Sequence, residues 1–185
     1  MNVIITGAHG SLGKRVVKEF AERGDTTLAL PSGVDLTGAE GLEELNRLVR
    51  GAKPLDALIH LAGGYDGGRR MEEIARGVFD RMMKLNFATA VNAFQAVLPV
   101  MVQQRSGRIV AIAAEAARVP TALVAAYAAS KAALYSLVQS VNAENGELGI
   151  SAEALTPLVL DGDALRDRVA DEIFAFVHRT TARAA

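Results

Sequence analysis

The sequence predicts an α/β protein with a doubly wound parallel sheet of about six strands, in which residues 1–185 form a single domain. Two observations support this prediction. Short apolar segments alternate along the chain with longer segments of helical periodicity, a pattern typical of βαβ units with right-handed crossovers. In addition, a glycine-rich turn separates the first apolar segment from the first helix.

The predicted strands are short apolar runs, as expected for parallel strands that are buried on both faces. They cover residues 3–5, 26–30, 34–36, 56–62, 108–113 and 149–155. The predicted helices cover residues 12–23, 42–50, 71–104 with a break near Gly77, 123–145 and 164–179. Strands and helices therefore alternate along almost the whole chain.

Composition excludes several classes of function. Lys and Arg number 20 and Asp and Glu number 21, so no excess positive charge is available for nucleic acid or an anionic membrane surface. The apolar runs are far shorter than the roughly 20 residues that cross a bilayer, and no signal peptide is recognisable. The chain has no cysteine, and its three histidines lack metal-ligand spacing. We therefore expect a soluble cytoplasmic protein without a metal, nucleic-acid or membrane partner.

The glycine-rich turn TGAHGSLG occupies residues 6–13 between a strand and a helix. In a dinucleotide-binding turn the first glycine permits the tight turn, the second lets the backbone approach a pyrophosphate, and the third lets helix and strand pack closely. The helix N-terminus then offers free N–H groups to phosphate. The alternative is a glycine-rich turn without a ligand. The candidate cofactor-binding residues here are Thr6, Gly7, Gly10, Ser11, Leu12 and Gly13.

Two positions bear on the adenosine end of such a cofactor. Asp35 follows the third predicted strand, beside the expected adenine pocket, although it is equally consistent with a helix N-cap. The second strand is followed by Pro31 and Ser32 and carries no carboxylate for a ribose diol. This gives a slight preference for NADP over NAD, with Ser32 near the additional phosphate.

Tyr127 and Lys131 are four residues apart in a predicted helix and therefore share one face. An ammonium group beside a phenol lowers the pKa of the phenol, which can then exchange a proton with a carbonyl oxygen. The alternative is a surface pair on an alanine-rich helix. The pair becomes specific only in combination with the glycine turn upstream.

Taken together, these motifs resemble the short-chain dehydrogenases/reductases, a family with a Rossmann-like fold. The matching segments are TGAHGSLG at 6–13, VDLT at 34–37, HLAG at 60–63, KLNF at 84–87, GRIVAI at 107–112 and YAASK at 127–131. The resemblance implies that Tyr127, Lys131 and Asn86 are catalytic, with Asn86 holding a helix bend and a proton-relay water. It further implies cofactor contacts at Asp35, Leu36, Ala62, Gly63, Gly64, Tyr127, Lys131, Pro157 and Val159.

The sequence departs from the family pattern at one catalytic position. Ala114 stands where the family has a serine, and losing one such hydrogen-bond donor costs ~2.7–4 kcal/mol in an enzyme built to use it. Gly162 stands where the family has a threonine that contacts the nicotinamide amide. No segment corresponds to the family's seventh strand, and the loop between predicted strands two and three is short. The resemblance therefore implies a shortened member with a more open substrate site.

Dihydropteridine reductases, a subgroup to which the similarity is weaker, also have alanine at this position. The segments AGGYDGG at 62–68 and LTPLVLD at 155–161 are similar to theirs. This similarity makes Tyr65 a candidate for stacking on a substrate ring. The alternative is a loop aromatic that covers apolar surface.

Two functions are consistent with the sequence. The first is an NAD(P)H-dependent oxidoreductase that reduces a small carbonyl or quinonoid substrate, with Tyr127 as the proton donor. The second is a catalytically impaired dinucleotide sensor or partner-binding protein of the same fold. By resemblance, the helices around Asn86 and Tyr127 would pair subunits in a homodimer or homotetramer.

Overall fold

The computed structural model describes residues 1–158 and 162–179, and five strands in these ranges form one sheet. The strands are β1 (Asn2–Thr6), β2 (Thr26–Ala29), β3 (Ala57–His60), β4 (Gly107–Ile112) and β5 (Ile150–Leu155). Their order is β2-β1-β3-β4-β5, and every neighbouring pair is parallel. The predicted doubly wound parallel sheet is confirmed, and the carboxyl ends of all five strands meet at one edge.

Within the described ranges, six α-helices connect and cover the strands. They are α1 (Ser11–Glu22), α2 (Ala39–Gly51), α3 (Arg76–Met83), α4 (Thr89–Gln104), α5 (Ala125–Asn145) and α6 (Asp163–Val177). Short 3-10 turns at Met71–Glu73, Glu115–Ala117 and Gly146–Leu148 and a π-helical turn at Lys84–Ala88 complete the described elements. The predicted helix boundaries differ from these mainly at the ends.

Alternation along the strands divides the core into two layers. In β1, Ile4 packs on the face covered by α2, α4 and α5, whereas Val3 and Ile5 pack on the face covered by α1 and α6. The same alternation holds in β3 and β4. Both faces are apolar because helices cover both, which explains the unbroken apolar runs in the sequence.

The predicted third strand at residues 34–36 is wrong, and this accounts for five strands instead of six. The backbone here bends away from the sheet edge: Gly33 has a φ of +81°, and Gly38 N–H donates to Asp35 O at 3.0 Å. Leu36 O accepts a hydrogen bond from the Asn92 side chain at 2.8 Å. Because these backbone groups are hydrogen-bonded within the turn and to a side chain, residues 34–36 form no strand that pairs with β2.

The predicted long helix over 71–104 is interrupted at positions other than the predicted break near Gly77. The helix does not break near Gly77; instead, the chain leaves the 3-10 turn at Ile74 and begins α3 at Arg76. Between α3 and α4 the backbone winds through the π-helical turn 84–88, and the helical axis continues. Such π turns occur frequently at functional sites, and this one carries Asn86.

Residues 76–104 form a continuous helical stretch of 29 residues that is long and apolar enough, by length and composition alone, to cross a membrane. A helix that meets this criterion was not predicted from the sequence, in which the apolar runs are short and separate. A buried core helix meets the same criteria, and Ala90, Phe94 and Val97 of α4 are buried against the sheet.

We predict that Phe20→Ala lowers the free energy of unfolding by about 3–5 kcal/mol. Phe20 is fully buried between α1 and α6, where its ring contacts Phe174 edge to face at 5.0 Å. Lys18→Ala on the exposed side of the same helix is the control and should change stability by less than about 0.5 kcal/mol. Equal effects of the two substitutions on urea unfolding would contradict the described packing.

Candidate active site

The glycine turn folds tightly onto the end of β3. Gly7 has a φ of +68°, and a Cβ at this position would lie 2.7 Å from the backbone N of Ala62 and the carbonyl C of Leu61. A Cβ at Gly13 would lie 2.2 Å from Gly7 O. Side chains are therefore excluded at both positions, in agreement with the predicted roles of the first and third glycines.

The turn fits the phosphates of a dinucleotide. Helix α1 begins at Ser11 with Gly10 as its N-cap, so the cap residue has no side chain to cover the free N–H groups of the first turn. Gly10 and Ser11 are exposed, whereas Leu12 and Gly13 are buried. Exposed backbone donors at a helix N-terminus are the feature that binds pyrophosphate.

Thr6 has a structural role in this turn. Its side chain is fully buried, and its hydroxyl lies 2.9 Å from His60 Nδ1 and 3.4 Å from the N–H of Ala62. Thr6 therefore ties the end of β1 to the end of β3, and its hydroxyl points into the protein.

At the predicted adenosine end of the site, both carboxylate oxygens of Asp35 accept hydrogen bonds from residues of the protein itself. One carboxylate oxygen accepts from the N–H of Thr37 at 2.8 Å and from its hydroxyl at 2.6 Å, and the other accepts from Lys84 Nζ at 3.0 Å. The bonds to Thr37, followed by Lys84, lower the pKa of Asp35 to about 2. Asp35 thus closes a turn through Thr37. The alternative of a helix N-cap is wrong, because the N-cap of α2 is Gly38.

The neighbouring predicted cofactor residues differ in accessibility. Leu36 is buried in the core, so only its backbone faces this edge. Ser32 is exposed after β2. His9, a residue that the sequence analysis left aside, approaches the same point, because its Nε2 lies 3.1 Å from Leu30 O.

Tyr127 lies near the start of α5 and is partly buried. Burial raises the pKa of Tyr127, and the Tyr65 phenol adds to the shift. The expected lowering by Lys131 is absent: the ammonium lies 5.9 Å from the centre of the Tyr127 ring and donates to Ile112 O at 2.6 Å. Tyr127 is therefore a protonated phenol at neutral pH, the state that a proton donor requires.

Lys131 is almost fully buried, and burial lowers its pKa to about 8. Its carbonyl partner, Ile112, is the last residue of β4. The ammonium is thereby held at the carboxyl edge of the sheet, on the same side as the glycine turn.

Asn86 joins three segments of the site. Its Oδ1 accepts from the N–H of Gly64 at 2.9 Å, and its Nδ2 donates to Gly64 O at 3.0 Å and to Ser130 Oγ at 2.9 Å. Ser130 Oγ in turn donates to Tyr127 O at 2.8 Å. Ser130 was not among the predicted site residues, although its place between Tyr127 and Lys131 was an available signal.

The loop after β3 requires its small residues. A Cβ at Gly63 would lie 2.6 Å from Asn86 Oδ1, and one at Gly64 would lie 3.0 Å from Leu85 Cδ1. Ala62 and Gly64 are partly buried, and Gly63 is exposed. The predicted cofactor residues 62–64 therefore lie beside the Asn86 turn.

Tyr65 stands over Tyr127, with the ring centroids 5.0 Å apart in an edge-to-face arrangement and 68% of Tyr65 exposed. Gly67 leaves room for the Tyr65 ring, since a Cβ there would lie 2.4 Å from the Tyr65 Oη. The loop is fixed because Gly68 N–H donates to the carbonyl of Leu123 at 2.8 Å. Leu123 has a φ of +65°, a strained conformation for leucine.

The remaining predicted residues lie around the end of β5. Ala114 is buried at the start of a 3-10 turn after β4, and the next residue, Glu115, donates its N–H to Pro157 O at 3.1 Å. Pro157 thus lies at the carboxyl edge of the sheet, and its contact with a cofactor stays a prediction. Val159 lies outside the described residues.

Potential metal ligands are dispersed in the described ranges. Within residues 1–158 and 162–179, no three His, Asp or Glu side chains form a group that could hold a metal ion.

The chain is similar to known oxidoreductases. The sequence profile of the short chain dehydrogenase family matches residues 29–173. The chain is 29% identical over 178 residues to 2,3-dihydro-2,3-dihydroxybenzoate dehydrogenase of Escherichia coli strain K12, covering 89% of this chain and 71% of that protein. It is 28% identical over 185 residues to an NADPH-dependent pterin aldehyde reductase of Arabidopsis thaliana, covering 88% and 76%.

Solved structures show the same fold. The structure of ElxO with NADP bound superimposes with a TM-score of 0.91 at 19% identity, covering 98% of this chain and 93% of that one. A 3-oxoacyl-[acyl-carrier protein] reductase with bound NAD from Brucella melitensis gives a TM-score of 0.81 at 21% identity, covering 95% and 83%. With the profile match, these similarities show that the chain belongs to the short-chain dehydrogenase family and is an oxidoreductase of that family.

Proposed function

We propose that this protein is an NAD(P)H-dependent reductase of small carbonyl or quinonoid compounds, in which Tyr127 gives a proton to the substrate oxygen. The observation that carries the proposal is the placement of the partly buried Tyr127 on the helix that also holds Lys131, at the sheet edge where the glycine turn opens. Proton donation and pyrophosphate binding are then possible in one cleft.

Each part of the site has a separate task. A bound nicotinamide dinucleotide supplies the hydride. The backbone of residues 10–13 binds its pyrophosphate at the N-terminus of α1. Tyr127 donates the proton, Lys131 gives the site a positive charge, and Asn86 holds α5 and the Gly64 loop at a fixed separation.

Ala114 and Tyr65 bear on the class of substrate. Ala114 presents a methyl group where a hydroxyl would polarise a carbonyl, so a substrate that is already activated by conjugation suits the site better than a simple ketone. The exposed Tyr65 ring next to Tyr127 offers an aromatic surface to a flat substrate. The similarity to a pterin aldehyde reductase supports this preference.

We infer a preference for NADP over NAD. Residues 30–34 after β2, which include the exposed Ser32, carry no carboxylate that would repel the 2′-phosphate, and the Asp35 carboxylate is bonded to Thr37 and Lys84. The similar Arabidopsis protein is named as NADPH-dependent.

The second candidate function is a dinucleotide-binding protein without catalysis, and Ala114 is the observation that favours it. A site that lacks the polarising hydroxyl but keeps the glycine turn would still bind the cofactor. Tyr127 and Lys131 would then be retained only for packing and cofactor contact.

Tyr127→Phe tests the proposed mechanism. With NADPH or NADH and quinonoid dihydropterin, we expect the wild-type protein to oxidise the reduced nicotinamide and the variant to lose ~10²–10⁴-fold in kcat, the typical contribution of a general acid. Dinucleotide affinity, measured by calorimetry, should stay within a few-fold. Tight dinucleotide binding by the wild type without turnover of the dihydropterin, ketones or quinones would favour the binding protein instead.

Ala114→Ser tests the substrate preference. A hydroxyl at this position should raise kcat/KM for simple ketones by up to about 10²-fold, the lower range for one oxyanion donor, and should leave the quinonoid substrate nearly unaffected. Ala116→Ser, two residues further along the 3-10 turn, is the matched control. Unchanged or slower ketone reduction in Ala114→Ser would contradict the role assigned to Ala114.

Lys131 predicts a pH dependence of stability. Its pKa is lowered to about 8 from 10.5, so above pH 8 the unfolded chain binds more protons and stability rises until pH 10.5. The wild type should therefore gain up to about 3 kcal/mol relative to Lys131→Met over this interval. Urea unfolding of both proteins at several pH values between 7 and 10.5 measures the difference. A difference that does not change with pH would mean that the ammonium is solvated.

A further inference from the structure

His60 is a buried titratable residue to which the proposed reaction assigns no task. It ends β3 with only 1% of its surface exposed. Its ring contacts Phe94 edge to face at 6.2 Å. Its two nitrogens face two hydroxyl groups, those of Thr6 and Thr89.

The hydrogen bonds around His60 specify one tautomer. Thr89 donates its hydroxyl proton to Leu85 O at 2.7 Å, so it can only accept from Nε2–H of His60, at 3.4 Å. Nδ1 is then unprotonated and accepts from the Thr6 hydroxyl at 2.9 Å. The other neutral tautomer would set the Nε2 lone pair against the oxygen of Thr89.

Electrostatics at this position favour the neutral ring. Burial, and after it the charge of Lys131, lowers the pKa of His60 to about 3. The charge of Lys131 can act on the ring because both residues lie at the carboxyl edge of the sheet. His60 is therefore a neutral hydrogen-bonding group throughout the physiological pH range.

The chain of bonds leads from the glycine turn to Asn86. At one end, Thr6 immediately precedes Gly7 and also accepts from the N–H of Ala62. At the other end, Thr89 bonds Leu85 O, and Leu85 and Asn86 are consecutive residues of the π-helical turn. His60 is the link between these two ends.

We propose that His60 is a positioning residue which, as the neutral Nε2–H tautomer, holds the turn carrying Asn86 in register with β1 and the glycine turn. It acts through Thr6 and Thr89 and needs no contact with substrate or cofactor. The bonds of Asn86 to Gly64 and Ser130 depend on this register, because a displaced π-helical turn would separate Asn86 from both partners.

The first test uses the wild-type protein and does not depend on the proposed function. Nitrogen NMR of histidine-labelled protein should show His60 with a protonated Nε2 and an unprotonated Nδ1, unchanged between pH 5 and pH 9. A ring that titrates in this interval, or one that is protonated on Nδ1, would overturn the proposal. No variant is needed, so a failure to fold cannot confuse the result.

The second test measures the position of Asn86 through hydrogen exchange of the Gly64 N–H, which Asn86 Oδ1 accepts. Thr89→Val removes the hydroxyl and keeps the side-chain shape, and His60→Phe removes the ring nitrogens and keeps an aromatic ring. Each substitution should accelerate exchange of the Gly64 N–H about tenfold or more. Exchange in the double variant should be no faster than in the single variants, because both break the same chain of hydrogen bonds. Phe94→Leu, which changes core packing beside the His60 ring and removes no hydrogen bond of the chain, is the control. Unchanged Gly64 exchange in Thr89→Val would overturn the proposal.

Rescue variants separate positioning from packing. His60→Gln places an amide near the position of Nε2 and should restore Gly64 protection, whereas His60→Asn reaches only toward Thr6 and should restore less. The reverse order would contradict the proposed link through Thr89. We also expect His60→Phe to lower kcat at unchanged dinucleotide affinity, an expectation that rests on the proposed function. If the wild-type protein is inactive, that function is refuted, and the exchange of the Gly64 N–H still decides whether His60 positions Asn86.

Discussion

The close approach of backbone at Gly7 and Gly13 is the constraint on which the rest of the site depends. A Cβ at Gly13 would lie 2.2 Å from Gly7 O. A Cβ at Gly7 would lie 2.7 Å from the backbone of Leu61 and Ala62, the two residues that follow β3. These distances bring the start of α1 directly over the carboxyl edge of β1 and β3. The free N–H groups of the helix are therefore presented where the sheet crossover leaves a cleft.

Hydrogen bonds between side chains and backbone hold the other half of the site. Asn86 connects the Gly64 loop to Ser130 on α5, and Ser130 bonds the carbonyl of Tyr127. Lys131 is fixed from a different direction, on Ile112 O at the end of β4. Tyr127 is thus positioned through the ends of β3 and β4 and through helix α5, so substitutions outside the cleft can move it.

Much of this arrangement could be predicted from the sequence because it follows from local patterns. The glycine turn, the apolar strands and the Tyr127–Lys131 spacing each have a direct physical cause, and the described structure has all three. The strand predicted at 34–36 was wrong because Asp35 and Asn92 satisfy its backbone through turn and side-chain contacts that no strand pattern reveals. The pKa of Tyr127 depends on burial and on where Lys131 points, which spacing alone does not determine.

The proposed function requires that a nicotinamide dinucleotide bind with its pyrophosphate on the turn formed by residues 7–13. The most direct test is a titration of labelled protein with NADPH and, separately, NADH, followed through the backbone amide resonances. We expect saturable binding of at least one dinucleotide, with the largest shifts at the amides of residues 10–13 and additional shifts near Lys131. Absence of binding for both dinucleotides, or shifts confined to another part of the protein, would contradict it.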